Sequence, residues 1–273
     1  MKYSIEIKQL SNRLYRFIDS SLTACYLAVG DEKAALLDTG DGIGDLKSAV
    51  NQITDKPLTV ILTHGHLDHI GGVQEFKDAD VWLNPNDFVI TADNARPENR
   101  LRYAQEVHSG LTMDDVVPAY DGVYLPLQDN QIFDLGGLHI QMISVPGHTQ
   151  GMMCPLLIEE RTIIFGDACG VAVMLMDEHS STISEYLKSL KHLQSYEEQY
   201  DTVYRNHGTF TNQKDLLENV MECCQNVLDG TDDHMPFTIH GRNGWMAKKI
   251  DRTANKPIDG KEGNLFYILD KIK

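Results

Sequence analysis

The stretch Thr63-His64-Gly65-His66-Leu67-Asp68-His69 puts three histidines and an aspartate into seven positions, directly behind the apolar run from Leu58 to Leu62. The run reads as a strand, and the motif begins where the strand stops. His64 and His66 flank a glycine, so their side chains converge if residue 65 turns instead of continuing a flat strand. Neutral imidazole combined with carboxylate suits Zn2+, Fe2+ or Mn2+ far better than calcium. Asp68 and His69 arrive one short turn later, which allows them to face a second ion beside the first. The stretch therefore asks for a fold in which the end of a strand is a metal centre.

Three further candidates stand at similar joints. His148 follows the predicted strand from Leu138 to Val145, Asp167 follows the next hairpin in the stretch Ile-Ile-Phe-Gly-Asp, and His207 follows Thr202 to Tyr204. Each comes after an apolar segment, which predicts a single sheet delivering all of them to one edge. A lone histidine in a loop is ordinarily solvated or hydrogen-bonded, and His108, His139, His179, His192, His234 and His240 are read that way.

The rest of the N-terminal third reads as strands at 14–18, 24–29 and 34–37, the last followed by the turn signal Asp-Thr-Gly-Asp-Gly. Alternation is poor, which places these strands in a sheet covered on both faces. Ile43, Leu46, Val50 and Ile53 recur at helical spacing ahead of Pro57. Residues 86–120 carry Arg96, Arg100 and Arg102 with weak helical periodicity and read as helices over the sheet edge, a candidate lid. A solvated helical face for these arginines is weighed against binding of a substrate anion. Strand signals resume at 131–133, 138–145, 153–158 and 162–165, with Gly136-Gly137 as a hairpin turn. Thr182 and Glu185 have capping-box spacing ahead of a one-sided apolar helix through Tyr196. Leu216 to Val227 marks another amphipathic helix, 230–262 is polar and glycine-containing, and 265–269 reads as a final strand.

Composition narrows the function. The 273 residues can bury a full core, in one domain or two by size alone. Five cysteines, Cys25, Cys154, Cys169, Cys223 and Cys224, form no CxxC pair, so neither a disulfide framework nor a zinc knuckle is indicated. No apolar run approaches the roughly 18 residues of a membrane span, and the N-terminal stretch lacks an apolar leader core; the expectation is a soluble cytoplasmic protein. A net charge of -16, dispersed rather than gathered in a tail, argues against nucleic-acid polymers and anionic membranes as partners.

These motifs together resemble the metallo-beta-lactamase-fold hydrolases. Thr-His-Gly-His-Leu-Asp-His is similar to that family's signature, Pro-Gly-His-Thr supplies its next histidine, Phe-Gly-Asp its bridging carboxylate and Asn-His-Gly its last histidine. The resemblance implies an α+β fold, a four-layer αββα sandwich forming a single domain over residues 1–273, with lid or pocket insertions at 84–125 and 230–262. It implies His64, His66 and His148 on one metal, Asp68, His69 and His207 on a second, and Asp167 between them, with Asp68 and Asp167 as catalytic carboxylates. True beta-lactamases usually carry a cysteine or another residue where Asp167 stands, and Cys169 does not restore that pattern. The flavodiiron reductases generally carry glutamate where His66 stands and append a flavodoxin domain. Hydrolysis is favoured over redox chemistry.

The implied cofactor is two divalent metal ions, zinc before iron or manganese, and the implied nucleophile a metal-bound hydroxide acting on a small thioester, ester or lactone. The resemblance extends to hydroxyacylglutathione hydrolases and acyl-homoserine lactonases. Arg242, Lys248 and Lys249 are candidates for holding a glutathione carboxylate, and Tyr103, Tyr124 and Tyr204 for protonating a leaving group. Alternatives are a phosphodiester or cyclic-nucleotide hydrolase, a mononuclear iron persulfide dioxygenase, and a non-enzymatic binding module. The expected partner is a small-molecule substrate, and a homodimer is left open.

Overall fold

A computed structural model describes residues 3–239, 241–251 and 256–273. The chain divides into two compact units, Met1–Met142 with Leu157–Glu160 and Ile143–Leu156 with Arg161–Lys273.

The first unit is built on a seven-stranded sheet whose strands lie in sequence order. These are β1 (Glu6–Gln9), β2 (Leu14–Ile18), β3 (Ala24–Val29), β4 (Ala34–Leu37), β5 (Leu58–Ile61), β6 (Asp80–Leu83) and β7 (Leu125–Pro126). The first four pair antiparallel, and β4 through β7 pair parallel. Parallel pairing demands crossovers, and helices supply them: α1 (Leu46–Asn51), α2 (Leu67–Ile70), α3 (Phe88–Asn94) and α4 (Pro97–Gln105). Asp45 caps α1 by accepting from the Ser48 amide at 3.0 Å, which fixes where the helix starts. Every residue of β4 is buried, and this explains the missing alternation. Leu27, Leu36, Val60 and Leu62 pack with Leu46, Val50, Val73 and Phe76 in the core of this unit.

A hairpin joins β8 (Ile132–Asp134) to the start of β9 (His139–Ser144). Gly136 and Gly137 turn it with φ of 80° and 69°, the left-handed pair that a tight hairpin requires and that only glycine adopts without a Cβ penalty.

In the second unit strands run in the order β14-β13-β11-β10-β9, from β10 (Met153–Leu157), β11 (Thr162–Ile164), β13 (Thr202–Tyr204) and β14 (Thr211–Asn212). A separate four-stranded sheet has the order β12-β19-β16-β15, from β12 (Val173–Leu175), β15 (Met235–Ile239), β16 (Arg242–Met246) and β19 (Leu265–Tyr267). Short β17 (Ile250–Asp251) pairs β18 (Lys256–Pro257). Helix α5 (Ile183–Gln194) opens with the expected Thr182/Glu185 capping box, and its Ile183, Tyr186, Leu190 and Leu193 are buried. Helix α6 (Leu216–Asp229) stops at Gly230, which is left-handed.

The polar, glycine-containing stretch after residue 230 carries strands that no sequence signal announced: β15 and β16 form an antiparallel hairpin in register from Met235↔Met246 to Ile239↔Arg242. Pro236 and Gly244 hid it, but β15 is an edge strand, where a missing N–H costs no ladder bond. Trp245 lies in β16 and stacks on His234 with ring centroids 3.8 Å apart. Among the described residues, no helix is long and apolar enough to cross a membrane.

Candidate metal centre

In the first unit the chain leaves β5 and places His64 at its end, His66 at the N-terminus of α2, and Asp68 and His69 within that single turn. His64 and His69 are fully buried and Asp68 nearly so. His64 Nε2 lies 3.1 Å from His66 Nδ1, and the His64 and His69 rings are 4.0 Å apart. His69 Nε2 lies 3.8 Å from Asp68 Oδ2.

Asp38 organises these side chains. It stands just past β4 with φ of 63°, an uncommon conformation for a residue with a Cβ. Its Oδ1 accepts the Thr63 amide at 2.7 Å; its Oδ2 accepts the Thr63 hydroxyl at 2.8 Å and His69 Nδ1 at 2.9 Å. With the Thr63 proton donated to Asp38, Thr63 Oγ1 becomes the acceptor for His64 Nδ1 at 3.1 Å. Both rings then carry the proton on Nδ1 and present the Nε2 lone pair, the tautomer a metal ligand needs. Close backbone packing completes the frame. A Cβ on Gly71 would fall 2.2 Å from the Asp41 carbonyl carbon, so α2 can approach the turn after β4 only with glycine there.

In the second unit His148 follows β9, Asp167 follows β11 and His207 follows β13. His148 Nε2 and His207 Nε2 lie 3.7 and 3.4 Å from the same oxygen, Asp167 Oδ2. His148 Nδ1 donates to the Met174 carbonyl in β12 at 2.9 Å, which again presents Nε2. Tyr186 of α5 packs between two of these loops. Its hydroxyl donates to the Ala168 carbonyl at 2.5 Å, and a Cβ on Gly147 would meet its ring at 2.2 Å.

The donor set fits divalent ions. Two ligands on a tetrahedral zinc with bonds of about 2.0–2.1 Å sit about 3.3 Å apart, close to the 3.1–3.8 Å found within each unit. Within the first unit His64, His66, Asp68 and His69 bring donor atoms together, and within the second His148, Asp167 and His207 do the same. One expectation is corrected: the strand ends belong to two sheets, β5 to one and β9, β11 and β13 to another. Cys169 is fully buried, and burial pushes its thiol pKa up, the opposite of what a thiolate ligand requires.

Arg100 does not lie on a solvated face. It is fully buried and donates to the carbonyls of Ala95, Asp41, Gly71 and Val117, and burial lowers its pKa to about 10. Arg96 and Arg102 keep the expected outward role, beside Asp93 and Asn99. Arg242 pairs with Asp177, and Lys248 with Asp259 at 2.8 Å, so both basic side chains already hold carboxylates. Tyr124 packs on Tyr120 and Phe88, and burial raises its pKa to about 12. His234 stacks on Trp245 and His139, in β9, pairs with Glu159, roles in keeping with histidines that serve packing and hydrogen bonding, and His240 lies outside the described residues. Sequence reasoning missed Asp38 and Tyr186 as supports. The signal for Asp38 was its place as the first polar residue after an all-apolar strand.

The family model described as the metallo-beta-lactamase superfamily matches residues 19–200. The chain belongs to that superfamily, and its fold and ligand clusters support a metal-dependent hydrolase. It is 27% identical over 204 residues to an atrochrysone carboxyl ACP thioesterase of Aspergillus novofumigatus, an alignment covering 70% of this chain and 53% of that protein. It is 26% identical over 200 residues to an acyl-coenzyme A thioesterase of Homo sapiens, covering 65% of this chain and 70% of that one. A metallo-beta-lactamase family protein of Thermus thermophilus superposes with a TM-score of 0.58 at 21% identity, over 84% of this chain and 86% of that chain. The fold is the α+β sandwich of the superfamily, with mixed sheets flanked by helices.

Proposed function

We propose that the chain is a dinuclear metal-dependent hydrolase of small thioesters, acting as one domain over residues 1–273. His64, His66 and His148 would hold the first ion, Asp68, His69 and His207 the second, and Asp167 would serve both. The observation that carries this reading is Asp167 Oδ2, which faces ring nitrogens of both His148 and His207, as a shared carboxylate would. Two ions held there, zinc before iron or manganese, supply Lewis-acid polarisation of a carbonyl and activation of water at neutral pH.

The chain's own residues do the rest. Asp68 accepts a hydrogen bond from the attacking water and holds it against the carbonyl carbon. Asp38, through His69 and Thr63, keeps both rings in the ligating tautomer. A thiolate leaves without a proton donor, whereas an alkoxide from an ester or lactone benefits from one, which favours thioesters. The thioesterase activities named for the two relatives support the same class.

The test is elemental analysis of the purified protein, run beside assays of acyl thioesters, lactones and bis(p-nitrophenyl) phosphate before and after chelation. Two equivalents of metal with chelator-sensitive thioester turnover support the reading. Turnover of the phosphodiester alone would replace it with a phosphodiesterase. One iron with oxygen consumption and no hydrolysis would point to a dioxygenase, and bound metal with no turnover of any substrate to a binding module.

A further inference from the structure

Helix α4 reaches Asp68 through a tyrosine. The Tyr103 hydroxyl lies 3.1 Å from Asp68 Oδ2, and the Thr23 hydroxyl lies 3.2 Å from the same oxygen. An ionised carboxylate only accepts, so both hydroxyls donate to it.

Each donor is itself anchored. The Thr23 amide donates to Asp19 Oδ1 at 2.8 Å, in a turn where Asp19 also accepts from Ser21 and from the Asp41 amide. Tyr103 stands three residues after Arg100, on the same face of α4. The Arg100 guanidinium donates to the Gly71 carbonyl, at the C-terminal end of the turn that carries Asp68, at 2.8 Å. It also donates to the Val117 carbonyl at 2.6 Å, so α4 is tied down on both sides. A helix fixed this way presents the Tyr103 hydroxyl at a set height above Asp68.

We propose that Tyr103, with Thr23, is a positioning residue that orients Asp68 as a ligand of the second ion. The inference rests on the dinuclear reading above. It assigns the Tyr103 proton to Asp68 and not to a leaving group. Partners that orient a metal ligand are typically worth 10–100-fold in metal affinity, and their loss acts on the ion they support.

The test titrates zinc into metal-free protein against a chromophoric chelator, for wild type, Tyr103→Phe and Thr23→Val, with thermal melts of the metal-free forms. The expected result is two equivalents in wild type, with a second-equivalent affinity lowered about 10–100-fold in each variant and the first unchanged. The kcat for thioester hydrolysis at limiting zinc falls with it, and KM stays. A merely structural role would instead lower the melting temperature and leave the second equivalent intact. Wild-type affinity for both equivalents in Tyr103→Phe and Thr23→Val would overturn the role of the two hydroxyls while the dinuclear reading stood. Wild-type protein that takes up fewer than two equivalents would overturn both.

Discussion

His64, His66, Asp68 and His69 come from one strand end and the turn after it, whereas His148, Asp167 and His207 come from three strand ends separated by whole elements. The first group needs only a strand, a glycine and a one-turn helix to bring its side chains together. The second needs β9, β11 and β13 held in one sheet and Tyr186 of α5 packed against the loops that follow β9 and β11. Their supports differ in kind as well. Asp38 holds the first group with a side chain, through Thr63 and His69, while a backbone carbonyl of Met174 holds His148. Side-chain substitution should therefore strike the first group through hydrogen bonding and the second through packing.

The largest effect is expected at Asp167, whose Oδ2 faces both His148 and His207. Asp167→Asn removes the negative charge facing two imidazoles and should lower metal-dependent turnover by more than about 100-fold, beyond what a supporting partner is worth. Near-normal rates in that variant, measured with saturating metal, would remove Asp167 from the centre. Asp38→Asn comes next. It replaces an acceptor of three donors with an amide and should weaken metal affinity by about 10–100-fold, read by chelator competition. Unchanged affinity would mean that the first group is preformed by its local sequence alone.

Smaller effects should appear at the packing supports. Gly147→Ala drives a methyl into the Tyr186 ring and should cost about 1–3 kcal/mol in denaturant unfolding, with weaker metal uptake. Lost stability with undisturbed metal affinity would show that the second group tolerates movement of its loops. Tyr186→Phe keeps the ring and loses only the bond to the Ala168 carbonyl, for about 0.5–1.5 kcal/mol. A loss above about 3 kcal/mol would mean that this hydroxyl holds more than one buried acceptor.

Legibility followed the same division. The apolar run before Thr63 and the capping box at Thr182 are local signals, and the strand β5 and helix α5 appear where those signals put them. The hairpin β15–β16 was illegible because a proline and a glycine inside it mimic loop chemistry, and only pairing with β19 explains the strand β16. Arg100 was misread for a related reason. An arginine among weakly periodic polar residues looks solvated, and nothing local announces that four carbonyls from separate segments will surround it.

The sequence by itself determined the candidate donors: their types, their order, and their placement after apolar segments, because metal preference depends on donor atoms and strand formation on short-range patterning. Tertiary structure alone decided which groups hold those ligands still. Asp38 lies 31 residues before His69, and Tyr103 35 residues after Asp68. Contacts across such distances exist only once the chain has closed its loops, and no local periodicity encodes them.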